Sequence, residues 1–130
     1  MFLLDTDTII YNMKGNINVQ KNLQMHINEQ IRISVITLME LYYGARKSQK
    51  VSTNLAKIKI LESTLEIIPV GLESTEIFGL LKEQLEKVGN RLDDFDLIIA
   101  SCAMAHNLTL VTNNIKHFQR IDGLKLVNWT

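Results

Sequence analysis

Four acidic side chains lie where the chain leaves a predicted strand or enters a predicted helix. Asp5 directly follows the apolar segment Phe2-Leu3-Leu4, and Glu40 follows a second segment that is rich in β-branched residues. Asp94 and Asp96 open a helical segment that precedes another apolar strand. In an open parallel sheet, ligands bind beyond the carboxyl ends of the strands. We therefore expect these carboxylates to gather at one edge of the sheet.

The gathered acids would form a site whose ligands are all oxygen atoms. Carboxylates that share a site repel one another, and some take up protons unless a cation neutralises them. Oxygen ligands favour the hard ions Mg²⁺ and Mn²⁺ over zinc. The three histidines do not assemble into a site, and the only cysteine, Cys102, lies in an apolar run and is expected to be buried and inert. The residue types therefore indicate chemistry that depends on a hard divalent cation.

Most of these acids also have a purely structural explanation as helix caps. Thr6 or Asp7 would cap the first helix. The spacing Thr37-x-x-Glu40 matches a capping box, in which Glu40 bonds back to the Thr37 amide. Asp93 or Asp94 would cap a later helix. Taken one at a time, the acids do not distinguish a cap from a functional site.

Two of the acids are poorly explained by capping. Asp5 stands ahead of better capping residues, so capping of the first helix does not require it. Asp96 lies in an otherwise apolar stretch, where a cap alone asks for no charge. These two positions favour a functional site.

The elements that must position the acids alternate along the chain. The predicted strands are Phe2–Leu4, Ile31–Ile36, Leu65–Val70, Leu108–Val111 and Leu124–Val127. The only proline, Pro69, falls in the third of them and indicates an edge strand. Helical periodicity runs over residues 51–61, 77–88 and 94–105, with Gly89 and Asn107 as helix stops. This alternation is typical of βαβ units and predicts an α/β fold with a parallel sheet.

Composition limits the remaining possibilities. The 130 residues fit one compact domain, residues 1–130, and 46% of them are apolar, which is enough for a sizeable core. The 14 basic and 14 acidic side chains cancel, which argues against coating of nucleic acid by bulk charge. No apolar run approaches the roughly 20 residues of a membrane helix, and no signal peptide precedes Asp5. These features predict a cytoplasmic protein with no membrane partner.

Four motifs follow one another in a specific order. They are the segments MFLLDTD at residues 1–7, SVITLMELYYGA at 34–45, DFDLIIA at 94–100, and VTNN at 111–114 with Phe118. The match continues to Gly123-Leu124 and Trp129 near the end of the chain. Each motif is weak alone, but the set resembles the PIN-domain family, and more narrowly the VapC toxins of bacterial VapBC toxin–antitoxin pairs.

The resemblance implies a fold, an activity and partners. The fold would be a three-layer α/β/α sandwich around a mainly parallel five-stranded sheet. The activity would be that of an endoribonuclease dependent on Mg²⁺, with Mn²⁺ as a substitute, acting on transfer or ribosomal RNA. The protein would be a homodimer held in check by a cognate VapB-like antitoxin. Residues 35–48 and the Thr-Asn-Asn segment are most similar to those toxins that cut initiator tRNA.

The resemblance also implies roles for individual residues. Asp5, Glu40 and Asp96 correspond to the core acids, which are catalytic and bind metal in that family. Asp94 matches a position that is often acidic. Asn114 stands where many PIN domains place another acid, so the ligands for a second metal ion would be incomplete.

Polar and basic residues near the motifs complete the expected site. Its chemistry would be hydrolysis of a phosphodiester, with phosphate or water positioned by Thr6, Thr112, Asn113 and Asn114. The candidates for contacts with the RNA backbone flank the acidic motifs and are Arg46, Lys47 and Arg91. Solvated surface charge is the alternative explanation for these three. Trp129, Tyr42 and Tyr43 are large amphipathic groups suited either to a dimer interface or to the core.

Two other functions are compatible with the same residues. Asp5-Thr6-Asp7-Thr8 after a first strand is similar to the nucleophile loop of haloacid-dehalogenase-like phosphatases. Against that class, Ile9 replaces the usual Thr or Val, the chain is short, and Glu40 would have no role. The non-enzymatic alternative is a binding scaffold with a PIN-like fold and weak metal affinity.

Overall fold

The computed structural model describes residues 1–130 and contains one five-stranded, wholly parallel sheet. The strands are β1 (Phe2–Leu4), β2 (Ile31–Ser34), β3 (Glu66–Ile68), β4 (Thr109–Val111) and β5 (Leu126–Val127). Their spatial order is β3-β2-β1-β4-β5, and β1 pairs in register with both β2 and β4. The carboxyl ends of the three central strands therefore meet at one edge of the sheet.

Seven helices cover the two faces of the sheet. They are α1 (Thr6–Met13), α2 (Ile17–Met25), α3 (Val35–Lys47), α4 (Val51–Thr64), α5 (Leu72–Lys87), α6 (Asp94–Ala105) and α7 (Ile115–Phe118). Because neighbouring residues of a strand point to opposite faces, Leu3 and Leu4 enter different cores. One core packs against α5 and α6, and the other against α1, α2, α3 and α4. The predicted three-layer α/β/α sandwich is confirmed.

Several predicted boundaries differ from the structure at the ends of the strands. The second strand was predicted to reach Ile36 but ends at Ser34, because the Ser34 side chain accepts a hydrogen bond from the Thr37 amide and starts α3. The third strand spans only residues 66–68, so Pro69 follows it; β3 is nevertheless an edge strand, as Pro69 indicated. Gly89 and Asn107 adopt positive φ values just after α5 and α6 and confirm the predicted helix ends.

Burial settles two of the ambiguous side chains. Cys102 is fully buried, as predicted. Trp129 is also buried in the core, where its ring stacks on His26 and packs at an angle against Phe2, so it is not a surface group for a dimer interface. No helix has both the length and the apolar character needed to cross a membrane.

Candidate active site

The amino-terminal ends of α1 and α3 lie side by side at the carboxyl edge of the sheet. There the Thr6 hydroxyl donates a hydrogen bond of 2.6 Å to Glu40 Oε1 and lies 3.2 Å from the Thr37 hydroxyl. Thr37 is completely buried, so its hydroxyl is held in place in this contact. The bond holds the Glu40 carboxylate toward β1 and away from the solvent side of α3.

Glu40 is therefore not part of a capping box, and that structural alternative is wrong. Ser34 caps α3, which leaves Thr37 inside the helix and releases Glu40 for the contact with Thr6. Burial raises the pKa of Glu40, and the hydrogen bond from Thr6 opposes that rise. Asp93, Asp7 and Asp5 add negative charge nearby and raise the pKa further.

Asp5 is the acid held most tightly. It is 5% exposed, and its Oδ1 accepts a hydrogen bond of 2.9 Å from the Thr8 amide, which makes Asp5 itself the cap of α1. The expectation that Thr6 or Asp7 would cap this helix is wrong. Burial raises the pKa of Asp5, while hydrogen bonds from Thr112 and Thr8 act in the opposite direction. Capping uses one oxygen of the carboxylate and fixes the direction of the other.

Asp96 lies in the first turn of α6, which runs antiparallel to the strands and starts at the same edge. Its side chain is half-buried, and burial raises its pKa to about 6. The other causes are the negative charges of Asp93, Glu40, Asp5 and Asp7, in that order. The structure thus brings Asp96 within electrostatic range of both Asp5 and Glu40.

The structure does not bring Asp94 to this group. Its carboxylate is exposed and lies 3.0 and 3.3 Å from Lys82 Nζ on α5. Asp93 instead caps α6 through the Phe95 amide and lies near Glu40 and Asp96. Residues three apart lie on the same side of a helix, and residues two apart do not. The spacing therefore places Asp93 beside Asp96 and Asp94 away from it. Asp7 is the other nearby acid that the sequence analysis did not place in the site.

The loop after β4 supports the acids with polar groups. Thr112 is fully buried, lies close enough to Asp5 to lower the pKa of that carboxyl, and accepts a hydrogen bond of 3.0 Å from the Asn114 amide. The Asn113 side-chain amide donates to the Tyr11 hydroxyl at 3.1 Å, and its Oδ1 is buried without a partner. The Asn114 side chain bonds to His117 at 2.8 Å. Thr112 therefore positions Asp5, and Asn113 retains an unused acceptor.

The three predicted RNA-contacting cations lie apart from the acids. Arg46 and Lys47 form the exposed last turn of α3, with Lys47 Nζ 4.9 Å from the centre of the Tyr43 ring. Arg91 lines a groove of about 290 Å³ between α5 and α6 together with Lys82 and Asp94. None of them forms a salt bridge with Asp5, Glu40 or Asp96, whose mutual repulsion is left without a basic partner.

The donor set fits a hard divalent cation in its chemistry. Asp5, Glu40 and Asp96 supply only oxygen atoms, their pKa values are all raised, and the nearest charged groups are other acids. No three acidic, histidine or cysteine side chains already converge closely enough to hold an ion. Like-charged carboxylates repel one another until a cation neutralises them.

Replacing Thr6 with Val is expected to slow the phosphodiester hydrolysis expected of this site about tenfold. The variant loses one hydrogen bond to a charged group, a loss of about 1.5 kcal/mol, and the pKa of Glu40 rises because a stabiliser of its ionised form is gone. Initial rates measured from pH 5 to pH 9 should show the acid limb of the profile displaced to higher pH. Thr75→Val is the matched control, because the exposed Thr75 hydroxyl bonds only to Leu72 in its own helix. A rate and profile like those of wild type would contradict the role of Thr6.

Comparisons with known proteins identify the family of this chain. The PIN domain family model matches residues 2–124. Ribonuclease VapC2 of Rickettsia felis is 44% identical to this chain, and the match covers 99% of this chain and 98% of the relative. The tRNA(fMet)-specific endonuclease VapC of Salmonella typhimurium is 35% identical, and the match covers 98% of this chain and 97% of the relative. The crystal structure of Rickettsia felis VapBC2 bound to a DNA fragment from its promoter superposes with a TM-score of 0.94 at 42% identity, covering 99% of this chain and 98% of that one. These matches span the whole sandwich and leave the phosphatase alternative without support. The chain therefore belongs to the PIN-domain family and, within it, to the VapC ribonucleases.

Proposed function

We propose that this chain is the toxin of a VapBC pair and hydrolyses phosphodiester bonds in transfer RNA with the help of a divalent cation. The observation that carries the proposal is that three desolvated acids from separate parts of the chain lie within electrostatic range of one another. Asp5 follows β1, Glu40 lies in α3 and Asp96 opens α6. Their raised pKa values mean that the fold disfavours the ionised carboxylates it groups together, and perturbed pKa values of this kind are typical of active sites.

We assign the cation to Asp5, Asp96 and Glu40, and to Mg²⁺ with Mn²⁺ as a substitute. When bound, such an ion supplies positive charge for the phosphoryl oxygens and lowers the pKa of the attacking water. Asp94 would join only if its side chain left Lys82. The amide of Asn114 is engaged with His117 and adds no charge, so a second complete set of acidic ligands is not expected.

The protein groups around the acids hold them and the substrate in place. Thr112 and the Thr8 amide fix Asp5, and Thr6 fixes Glu40 with its Oε2 left to accept a hydrogen bond from the attacking water. Asn113, predicted to position phosphate or water, has its Oδ1 buried without a partner in the protein, so that oxygen is not exposed to the substrate. Attack of water on phosphorus breaks the bond to the 3′ oxygen and leaves a 3′ hydroxyl and a 5′ phosphate.

The substrate proposal rests on the Salmonella typhimurium relative, whose name specifies tRNA(fMet). We propose initiator tRNA for this chain as well, with ribosomal RNA as the alternative. The test is to incubate the purified chain with total tRNA and ribosomes in Mg²⁺ and to map new 5′ phosphate ends by sequencing. One dominant site in initiator tRNA is the expected result. Dominant cleavage in ribosomal RNA, or no cleavage by the folded chain, would overturn the assignment.

The partners we propose are a VapB-like antitoxin and a second copy of the chain. An antitoxin arginine placed against the acids would satisfy their oxygens through paired charge-assisted hydrogen bonds. The exposed side chains of Met39, Tyr43 and Phe95, on α3 and α6, offer apolar surface for the dimer. Light scattering should give a mass twice that of the 14.9 kDa chain. Co-expression with the antitoxin should abolish cleavage in the preceding assay.

A further inference from the structure

Tyr11 is an exposed aromatic residue at the edge of the acidic site. It lies in α1, the helix that Asp5 caps, and it is 36% exposed. Asp7 and Tyr11 are four residues apart in this helix, so they lie on the same side of it. The negative charge of Asp7 raises the pKa values of all three acids, which places that side of α1 next to them. Tyr11 therefore lies beside the acids, about 9 Å along the helix from Asp5.

The hydroxyl of Tyr11 is held by the loop that follows β4. The side-chain amide of Asn113 donates a hydrogen bond of 3.1 Å to it across 102 positions of sequence. Asn113 directly follows Thr112, which is buried beside Asp5. The Tyr11 ring is thus held at both ends, by α1 at its Cα and by the loop at its hydroxyl. No aromatic ring or cation of the protein stacks on it.

This contact gives Asn113 a role. Its Oδ1 is buried without a partner, and an apolar residue of similar size would avoid the free-energy cost of that unsatisfied acceptor. Buried polar groups left unsatisfied in native folds are rare and call for an explanation. The hydrogen bond that the Asn113 side chain does make fixes the Tyr11 ring. The fold therefore keeps a costly amide in order to orient an exposed aromatic side chain.

We propose that Tyr11 stacks on a base of the RNA strand next to the bond that is cut, and that Asn113 positions the ring for this contact. The inference rests on the ribonuclease function proposed above and adds to it a residue that recognises the substrate. In single-stranded RNA, unstacked bases are recognised by stacking on aromatic side chains. Because every base has a π face, the tyrosine contributes affinity whichever base it meets.

The surroundings of Tyr11 favour RNA over a protein segment. A protein interface has an apolar core to which several side chains contribute, whereas one exposed ring is enough to stack on a base. The neighbours of Tyr11 named above, Asp7 and Asn113, are polar, so the ring does not belong to an apolar patch. A strand whose phosphodiester bond lies at the acids must also pass over the edge of the site, where Tyr11 is located.

Tyr11→Leu removes the aromatic ring and keeps an apolar side chain that favours a helix. The probe is a fluorescein-labelled single-stranded RNA that spans the mapped cleavage site, and its binding is measured by anisotropy in EDTA so that no cleavage occurs. The Kd should rise about tenfold, the order of effect found when one base loses its aromatic partner. In Mg²⁺, the KM should rise by a similar factor while kcat stays nearly constant.

Tyr42→Leu is the matched control. The Tyr42 hydroxyl is likewise held by one side chain, Glu62, but this pair lies between α3 and α4. The control should leave the Kd for RNA and the KM unchanged, even if the melting temperature falls. It therefore separates a loss of stability from a loss of RNA affinity.

Two milder variants test the positioning role of Asn113. Tyr11→Phe keeps the ring but loses the hydroxyl, and Asn113→Ala keeps the tyrosine but releases it. Each should raise the Kd only about two- to threefold, because the ring must then be ordered when RNA binds. The double variant should be no weaker than either single variant, since both remove the same hydrogen bond.

RNAs that lack one base identify the nucleotide that Tyr11 contacts. At one position near the cut bond, removing the base should weaken binding to wild type about tenfold. The same removal should have little further effect on Tyr11→Leu, because the stacking contact is already absent. If every abasic RNA weakens binding to wild type and to Tyr11→Leu by equal factors, the ring stacks on no base and the inference is overturned.

The remaining outcomes separate this inference from the proposed function. If wild type cleaves RNA but Tyr11→Leu has the Kd and KM of wild type, the role of Tyr11 is overturned and the nuclease assignment stands. A lower melting temperature with unchanged RNA affinity, or a loss of affinity only for the antitoxin, would overturn the inference in the same way. A wild-type chain that neither binds nor cleaves RNA would overturn both.

Discussion

Removal of divalent cations with EDTA is expected to abolish RNA cleavage, and Mg²⁺ or Mn²⁺ is expected to restore it. The site contains three mutually repelling acids and no basic side chain paired with them, so nothing in the protein itself offsets the charge that develops on the phosphoryl oxygens. Loss of a principal electrostatic element typically costs about a hundredfold to a thousandfold in rate. Activity should therefore fall by at least that factor.

A measurement independent of activity distinguishes the enzyme from a metal-free scaffold. Millimolar Mn²⁺ should raise the melting temperature, because an ion that binds only the folded chain at a hundred times its Kd adds about 2.7 kcal/mol of stability. Replacing Asp94, which is paired with Lys82, should leave this rise nearly intact, whereas replacing Asp5 should remove it. Full cleavage in EDTA would refute the metal mechanism, and an unchanged melting temperature would favour the scaffold.

The sequence predicted the strands and the acids at their ends because both depend on local patterns. A buried strand of a parallel sheet is apolar throughout, as Phe2–Leu4 and Thr109–Val111 largely are. The carboxyl edge then follows from topology, which places residues distant in sequence at one edge. Asp5, Glu40 and Asp96 were identified by this argument together with the family resemblance.

The features that the sequence did not predict depend on which side chains lie close enough in the folded chain to bond with one another. Ser34, Thr37 and Glu40 offer two possible caps for α3, and only the proximity of Thr6 decides that Ser34 caps the helix. The spacing of Asp93 and Asp96 favours Asp93 over Asp94, but only the structure shows that Lys82 on α5 pairs with Asp94.

Asp96→Asn is expected to lower RNA cleavage about a hundredfold or more and, in EDTA, to make the protein at least as stable as wild type. The substitution keeps the shape of the side chain but removes a charge from the metal site. Without metal, that charge is unfavourable: burial and the neighbouring Asp93 and Glu40 raise the pKa of Asp96 to about 6. For a fully buried group this rise corresponds to about 3 kcal/mol, and solvent screening of the half-exposed side chain reduces it to about 1–2 kcal/mol. Loss of a favourable charge in the first turn of α6 offsets about 0.3–1 kcal/mol of the gain.

The pH dependence of stability gives the most specific test of this assignment. Because the pKa of Asp96 is higher in the folded than in the unfolded chain, protonation of Asp96 stabilises the fold. This contribution to the free energy of unfolding is fully present below about pH 4 and is lost as the pH rises through about 6. Wild type in EDTA should therefore lose stability between pH 4 and pH 6.5, and Asp96→Asn should lose about 1–2 kcal/mol less over the same range. Urea unfolding at each pH measures both curves, and Asp122→Asn serves as a control because Asp122 lies outside the acidic group. If Asp96 served only as a helix-terminal charge, the variant would retain its activity per folded molecule and would be less stable at neutral pH. That pair of results would end the assignment of Asp96 to the site.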